Sequence, residues 1–147
     1  MHKGGRGPIE ILMVEDNPHD VRFTIEAFKD ARVHNKMHVA SDGEEAIEYL
    51  RRKGRHSRAR RPDLVLLDLN LPKKNGREVL EEIKCDPELR KIPVLVLSTS
   101  EDEMDIKRAY DLHVNAYIHK PVDLDQFIKV AKAVEDFWFS VAKLPPR

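Results

Sequence analysis

A run of apolar residues that stops at an acid constrains this chain more than any other feature. Leu64-Val65-Leu66-Leu67 leads without interruption into Asp68, and Asn70, Pro72 and the pair Asn75-Gly76 follow. A short Val- and Leu-rich run bounded by turn residues predicts a strand buried on both faces, as in a parallel sheet covered by helices. Asp68 then stands at the carboxyl end of a central strand, the edge where open α/β sheets gather ligands. Taken alone, an acid ending a strand is also a common turn residue.

Comparable signals recur along the chain. Ile9–Val14 predicts a first strand ending in Glu15-Asp16-Asn17-Pro18, where Asn17 or Asp16 can cap a helix from about Pro18 to Ala31. Val21, Ile25 and Phe28 are its expected inner face. Met37–Ala40 is a weaker second strand. Asp42-Gly43 opens a second helix with Ala46, Ile47 and Leu50 inward, and Val79, Leu80 and Ile83 mark a third helix after Gly76. Pro93–Leu97 is another doubly buried run, with proline at the start where it costs no ladder bond. It ends in Ser98-Thr99-Ser100. Glu101, Asp102 and Glu103 place acids in the first turn of a fourth helix, whose apolar members are Met104, Ala109, Tyr110 and Leu112. Ala116–His119 is a short fifth strand before Lys120-Pro121. Asp123 caps a last helix running to about Ala142. Five strands alternating with five helices define an α/β, doubly wound parallel sheet with helices on both faces.

The 147 residues suit a single domain, expected at 9–142, between a flexible arm (1–8) and a short tail (143–147) with no output domain. Lys+Arg and Asp+Glu both number 26, so no global field favours nucleic acid or a membrane. Residues 51–61 contain seven Lys or Arg but no aromatic residue. This pattern fits a solvated connector or a dock for an acidic partner better than a nucleic-acid site. The lone cysteine, Cys85, excludes an internal disulfide and makes a reducing, cytoplasmic setting the expectation. No apolar stretch reaches 18 residues.

Four strand ends carry polar groups of a particular kind: Glu15-Asp16, Asp68, Ser98 and Lys120. If the first and third strands are neighbours, three carboxylates crowd together, and a hard dication relieves their repulsion. Mg2+ suits such oxygens and keeps sites open for a phosphoryl group. Asp68 is then a candidate nucleophile, Lys120 a point charge for a phosphoryl oxygen, and Ser98 a hydroxyl donor. A flavodoxin-like electron carrier, an aspartyl phosphatase and a docking-only relative of a phospho-acceptor are the alternatives. The acid pair disfavours a flavin phosphate after the first strand. Asn70 stands where the phosphatase pattern has a second Asp. The intact set of site residues speaks against a docking-only protein.

This set resembles the receiver domain of two-component response regulators. The acid pair, Asp68, Ser98 thirty residues later, and Lys120-Pro121 with Lys120 fifty-two residues after Asp68 carry the likeness over about Ile9–Ala142. The resemblance implies a flavodoxin-like sheet of order 2-1-3-4-5 and phosphoryl transfer to Asp68 from the phosphohistidine of a sensor histidine kinase. The protein would be a signalling phospho-acceptor that catalyses only its own phosphorylation and dephosphorylation. It implies Mg2+ held by Asp16, Asp68 and the backbone carbonyl of Asn70, with Glu15 acting through a water. It also implies Ser98 and Tyr117 as a switch pair, and a cis bond at Lys120-Pro121. Residues 69–80, the arginine-bearing connector and the tail from Phe137-Trp138 to Pro146 look like the small stand-alone regulators paired with phytochrome-type kinases. Glu15 departs from the Asp common at its position, and Tyr117 retains a hydroxyl. The last helix shows one stripe of Leu124, Phe127, Ala131, Val134 and Trp138 and a second of Val130, Ala133, Phe137 and Val141. The second stripe leaves open a homodimer through helix four, strand five and helix five. The downstream target is expected to be a protein.

Overall fold

The computed structural model describes residues 8–71, 74–98, 103–120 and 123–136. Five parallel strands, β1 (Ile9–Val14), β2 (Asn35–Ala40), β3 (Leu64–Asp68), β4 (Val94–Ser98) and β5 (Ala116–His119), form one sheet in the order β2-β1-β3-β4-β5. Every residue of β1, β3 and β4 is buried, Glu10 of β1 included, as strands covered on both sides require.

The alternation of side chains along each strand feeds two cores. Leu12, Val14, Val65, Leu67, Val94 and Val96 meet α2 (Gly43–Leu50), α3 (Gly76–Cys85) and α4 (Glu103–Asp111). Ile9, Ile11, Met13, Leu64, Leu66, Leu95 and Leu97 meet α1 (Pro18–Asp30) and α5 (Leu124–Glu135). The second core holds an aromatic cluster, with Phe127 stacked on Phe23 at 5.8 Å and edge-on to Phe28 at 6.3 Å.

Side-chain caps place the helix starts. Asn17 accepts from the backbone of His19 at 2.8 Å, with Pro18 at the first helical position. Asp42 accepts from Glu45 N at 2.8 Å and Asp123 from Gln126 N at 2.8 Å. Asn75 and Glu78 form a reciprocal capping box. Gly76 is required by contact rather than by turn geometry. A Cβ there would lie 2.4 Å from Leu69 Cα and 2.5 Å from the Asp68 carbonyl oxygen.

Five expectations need correction. In α1 the buried face is Thr24, Ala27 and Phe28, while Ile25 is exposed. Thr24 tolerates burial because its hydroxyl donates to the Asp20 carbonyl at 2.9 Å. β2 starts at Asn35, two residues early, since pairing with β1 continues to the Ile9–Asn35 pair. In α4 only Ala109 is buried, and Met104 and Tyr110 face outward. The basic connector is not solvated throughout, because Gly54–His56 forms a 3-10 turn that buries His56 against Tyr49 and His38. On α5, Phe127, Ala131 and Val134 face the sheet as expected, whereas Leu124 is exposed. Phe137, Trp138, Val141, Pro121 and the acids at 101 and 102 lie outside the described residues.

Candidate functional site

The carboxyl ends of β1 and β3 bring the acids together. Val14 of β1 pairs with Leu67 of β3, so Glu15 and Asp68 follow in adjacent register. Oxygens of Glu15, Asp16 and Asp68 lie within 4.8 Å of one another. Glu15 and Asp68 are buried, and Asp16 is exposed.

Lys120, just past β5, closes the cluster. Its Nζ donates to Glu15 Oε1 at 2.9 Å, to Asp20 Oδ2 at 2.9 Å and to Asp68 Oδ2 at 3.3 Å. The other oxygen of Asp68 accepts from the Asn70 backbone N–H at 2.9 Å, which fixes the carboxylate plane. The second Glu15 oxygen accepts from Asn17 N at 3.2 Å. The backbone around Lys120 is set by β4, because Lys120 N donates to the Ser98 carbonyl at 2.7 Å.

Electrostatics follow from this crowding. Burial, then the neighbouring Asp68 carboxylate, pushes the Glu15 pKa up to about 7 against the opposing pull of Lys120. Burial alone would lower the pKa of Lys120. Hydrogen bonds to Asp20 and Glu15 and the field of Asp68 override it and hold the ammonium well above its usual value. One lysine therefore faces more negative charge than it can balance, and a dication would relieve the excess. The donor set, three carboxylates at a partly open rim, has the hard oxygen chemistry that Mg2+ or Mn2+ prefers.

Of the residues expected from the sequence, Glu15, Asp16, Asp68 and Lys120 converge. Asn70 stands two residues after Asp68 and reaches its carboxylate through its N–H. Ser98 is buried at the end of β4 on the same edge. Tyr117 is not in the acid cluster. It is half-buried against the core on the α2–α3–α4 side, paired with Val96 two positions before Ser98, so the two side chains project from one sheet face. Sequence inspection missed Asp20 as a partner of Lys120. Its position four residues after Asp16, in the first turn of α1, is the signal that would have found it.

The sheet is doubly wound and parallel, and its carboxyl edge carries an acid cluster and a lysine. The comparisons are specific. Residues 11–132 match the family model described as "Response regulator receiver domain", and the chain belongs to that family. It is 44% identical over 138 residues to response regulator Rcp1 of Synechocystis sp., covering 94% of each chain. The crystal structure of the phosphorylated cyanobacterial phytochrome response regulator RcpA is similar at 51% identity and TM-score 0.84, over 99% of this chain and 100% of that one. The structure of the Mn2+-bound form of Rcp1 is similar at 43% identity and TM-score 0.83, over 95% and 100%. The protein is thus a response regulator of two-component signalling. No described helix is long and apolar enough to cross a membrane.

Proposed function

We propose that Asp68 accepts a phosphoryl group from a phosphohistidine of a sensor histidine kinase, of the phytochrome type by likeness to RcpA. In that step the P–N bond of the donor breaks and a P–O bond to the Asp68 carboxylate forms. The observation that carries this proposal is the convergence of Lys120 Nζ and the carboxylates of Glu15 and Asp16 on one strand-end acid, Asp68. Asp16, Asp68 and the Asn70 carbonyl would hold Mg2+, with Glu15 acting through a water. The ion supplies charge neutralisation to the transferring phosphoryl oxygens. Lys120 is placed to take a phosphoryl oxygen as a point charge, and the Ser98 hydroxyl to donate to another. The Asn70 N–H and Lys120 hold the Asp68 oxygens in fixed positions before the reaction, so little reorganisation is needed.

Phosphate at Asp68 would favour a state in which Ser98 and Tyr117 turn inward, changing the surface of α4, β5 and α5 for a downstream protein. Exposed Met104 and Tyr110 on α4 and Leu124 on α5 support that surface as an interface, including one for a second copy of the chain. Sedimentation that finds only monomer at high concentration, with and without phosphorylation, would remove the dimer.

The test of phospho-acceptance is intact mass after acetyl phosphate and Mg2+. One phosphoryl adduct, labile to hydroxylamine, is expected in the wild type and none in Asp68→Asn. An undiminished adduct in that variant would refute the assignment. Lys120→Ala is expected to accept phosphate but to lose the accompanying change of surface.

A further inference from the structure

A second group of ligating side chains lies on the other side of β1, and phospho-acceptance makes no use of it. His38 stands on β2, Glu45 in the first turn of α2, and His56 in the 3-10 turn of the basic connector. Each offers a ligand atom, and these atoms lie within 4.8 Å of one another. His56 is buried, although arginines flank it in the sequence.

Two observations point to a ligand rather than to packing alone. The first is that His38 Nε2 is buried with no hydrogen-bond partner. Buried imidazole nitrogens normally find a partner, and an orphan calls for an explanation such as an ion. The second is that their neighbours already gather the three side chains at one place. The His38 ring stacks on Tyr49 at 4.2 Å, and the His56 ring stands edge-on to both. The Ser41 N–H donates to Glu45 Oε1 at 2.9 Å, which leaves Oε2 turned toward His56 Nε2, 3.6 Å away. Burial, then His56, lowers the His38 pKa, which favours the neutral ring.

Two imidazoles and one carboxylate are poor ligands for Mg2+ but suit Zn2+, which takes N and O donors at about 2.0–2.2 Å, roughly 3.3 Å from each other in a tetrahedron. The His56–Glu45 separation is near that value, and side-chain rotation brings in the third ligand. A cation already visits the position. The Arg55 guanidinium donates to Glu45 Oε2 at 2.6 Å and to His56 Nε2 at 3.3 Å. Its side chain is 74% exposed, so it can swing away into water.

We propose that His38, Glu45 and His56 form a Zn2+ site, occupied in the metal-free protein by the side chain of Arg55. Three protein ligands leave a fourth position for water. The bound ion would tie β2, α2 and the connector together, making the arrangement of the arginine-rich segment dependent on zinc.

The test is titration of the full chain with Zn2+ against a chromophoric chelator, with Mg2+ in excess to occupy the acid cluster. One equivalent is expected. His38→Gln and His56→Gln should each weaken it by at least about tenfold, as expected when one of three ligands is lost. Arg55→Ala should tighten it a few-fold. No bound equivalent, or one that both histidine variants leave in place, overturns the proposal. Binding abolished by Asp16→Asn instead assigns the ion to the acid cluster and also overturns it. If the histidine variants do not fold, ring resonances of the wild type decide. Zn2+ must shift His38 and His56 and leave His113 and His119 unmoved, and the reverse pattern overturns the site.

Discussion

Helices α3 and α4 cover the same face of the sheet, yet they are held in different ways. α3 buries Val79, Leu80 and Ile83 almost completely, starts in a capping box, and presses Gly76 onto Leu69. α4 buries only Ala109. Its ties to neighbours include the Arg77–Asp105 ion pair to α3, and an exposed Lys107–Asp111 pair lies along its own surface. Exposed ion pairs contribute little, about 0–1 kcal/mol. The start of α3, seated on Leu69 beside Asp68, is therefore anchored, whereas α4 rests on little apolar area. Regions with few buried contacts open at low free-energy cost. A switch that keeps its chemical site rigid and moves a neighbouring helix needs this division.

The largest expected effect tests the division directly. Leu80→Ala should lower stability by about 2–5 kcal/mol in urea unfolding, as for a fully buried side chain. Met104→Ala on α4 should stay within about 0.5 kcal/mol, as for an exposed site. A comparable loss at both positions would erase the contrast. Next, Gly76→Ala should cost about 1–3 kcal/mol, since backbone atoms must give way. It should also shift the amide resonances of Leu69 and Asn70. Unchanged resonances there would disconnect the start of α3 from the acid. Asn75→Ala removes the cap and should cost about 1 kcal/mol. The loss should appear as faster hydrogen exchange confined to the first turn of α3, which then approaches α4.

The smallest effect lies outside both helices. Burial lowers the His38 pKa in the fold, with His56 and Arg55 acting in the same direction and Glu45 opposing them. The unfolded chain therefore binds the proton first as pH falls below about 6.5, so ν_U exceeds ν_N and stability rises with pH in that window. The contribution is present above the unfolded pKa and lost on acidification toward the folded value. His38→Gln should flatten the slope of stability just below about pH 6.5, read from urea midpoints. An unaltered slope would mean that His38 titrates normally.

The sheet was legible because β3 and β4 are built on continuous apolar runs and β1 on one broken only by Glu10, and the acids because they stand where those runs end. What escaped depends on three-dimensional neighbours. Ile25 looked internal by spacing, but the buried stripe of α1 runs through Thr24, whose hydroxyl bonds its own helix. Asp20 reads as a helix-start acid until Lys120 arrives from 100 residues away. His56 sits in a run of arginines that reads as solvated, and only the meeting of β2 with the connector buries it. The stability of α4 could not be read from its apolar members, because periodicity does not say which side chains find a surface to cover.

Asp63 stands just before β3, at the opposite end of the strand from the chemistry. Its carboxylate accepts from Glu10 N at 2.9 Å, and its own N–H donates to the Glu10 carbonyl at 2.7 Å. A side chain thus extends the β1–β3 ladder where the backbone enters it. Strands advance about 3.3 Å per residue and reverse their side chains at every step. Slippage by a single position would carry Asp68 past Glu15 and turn it to the other face. The silent end of the sheet sets the phase in which the acids meet, so a change at residue 63 should be felt some five residues away as lost alignment of charge.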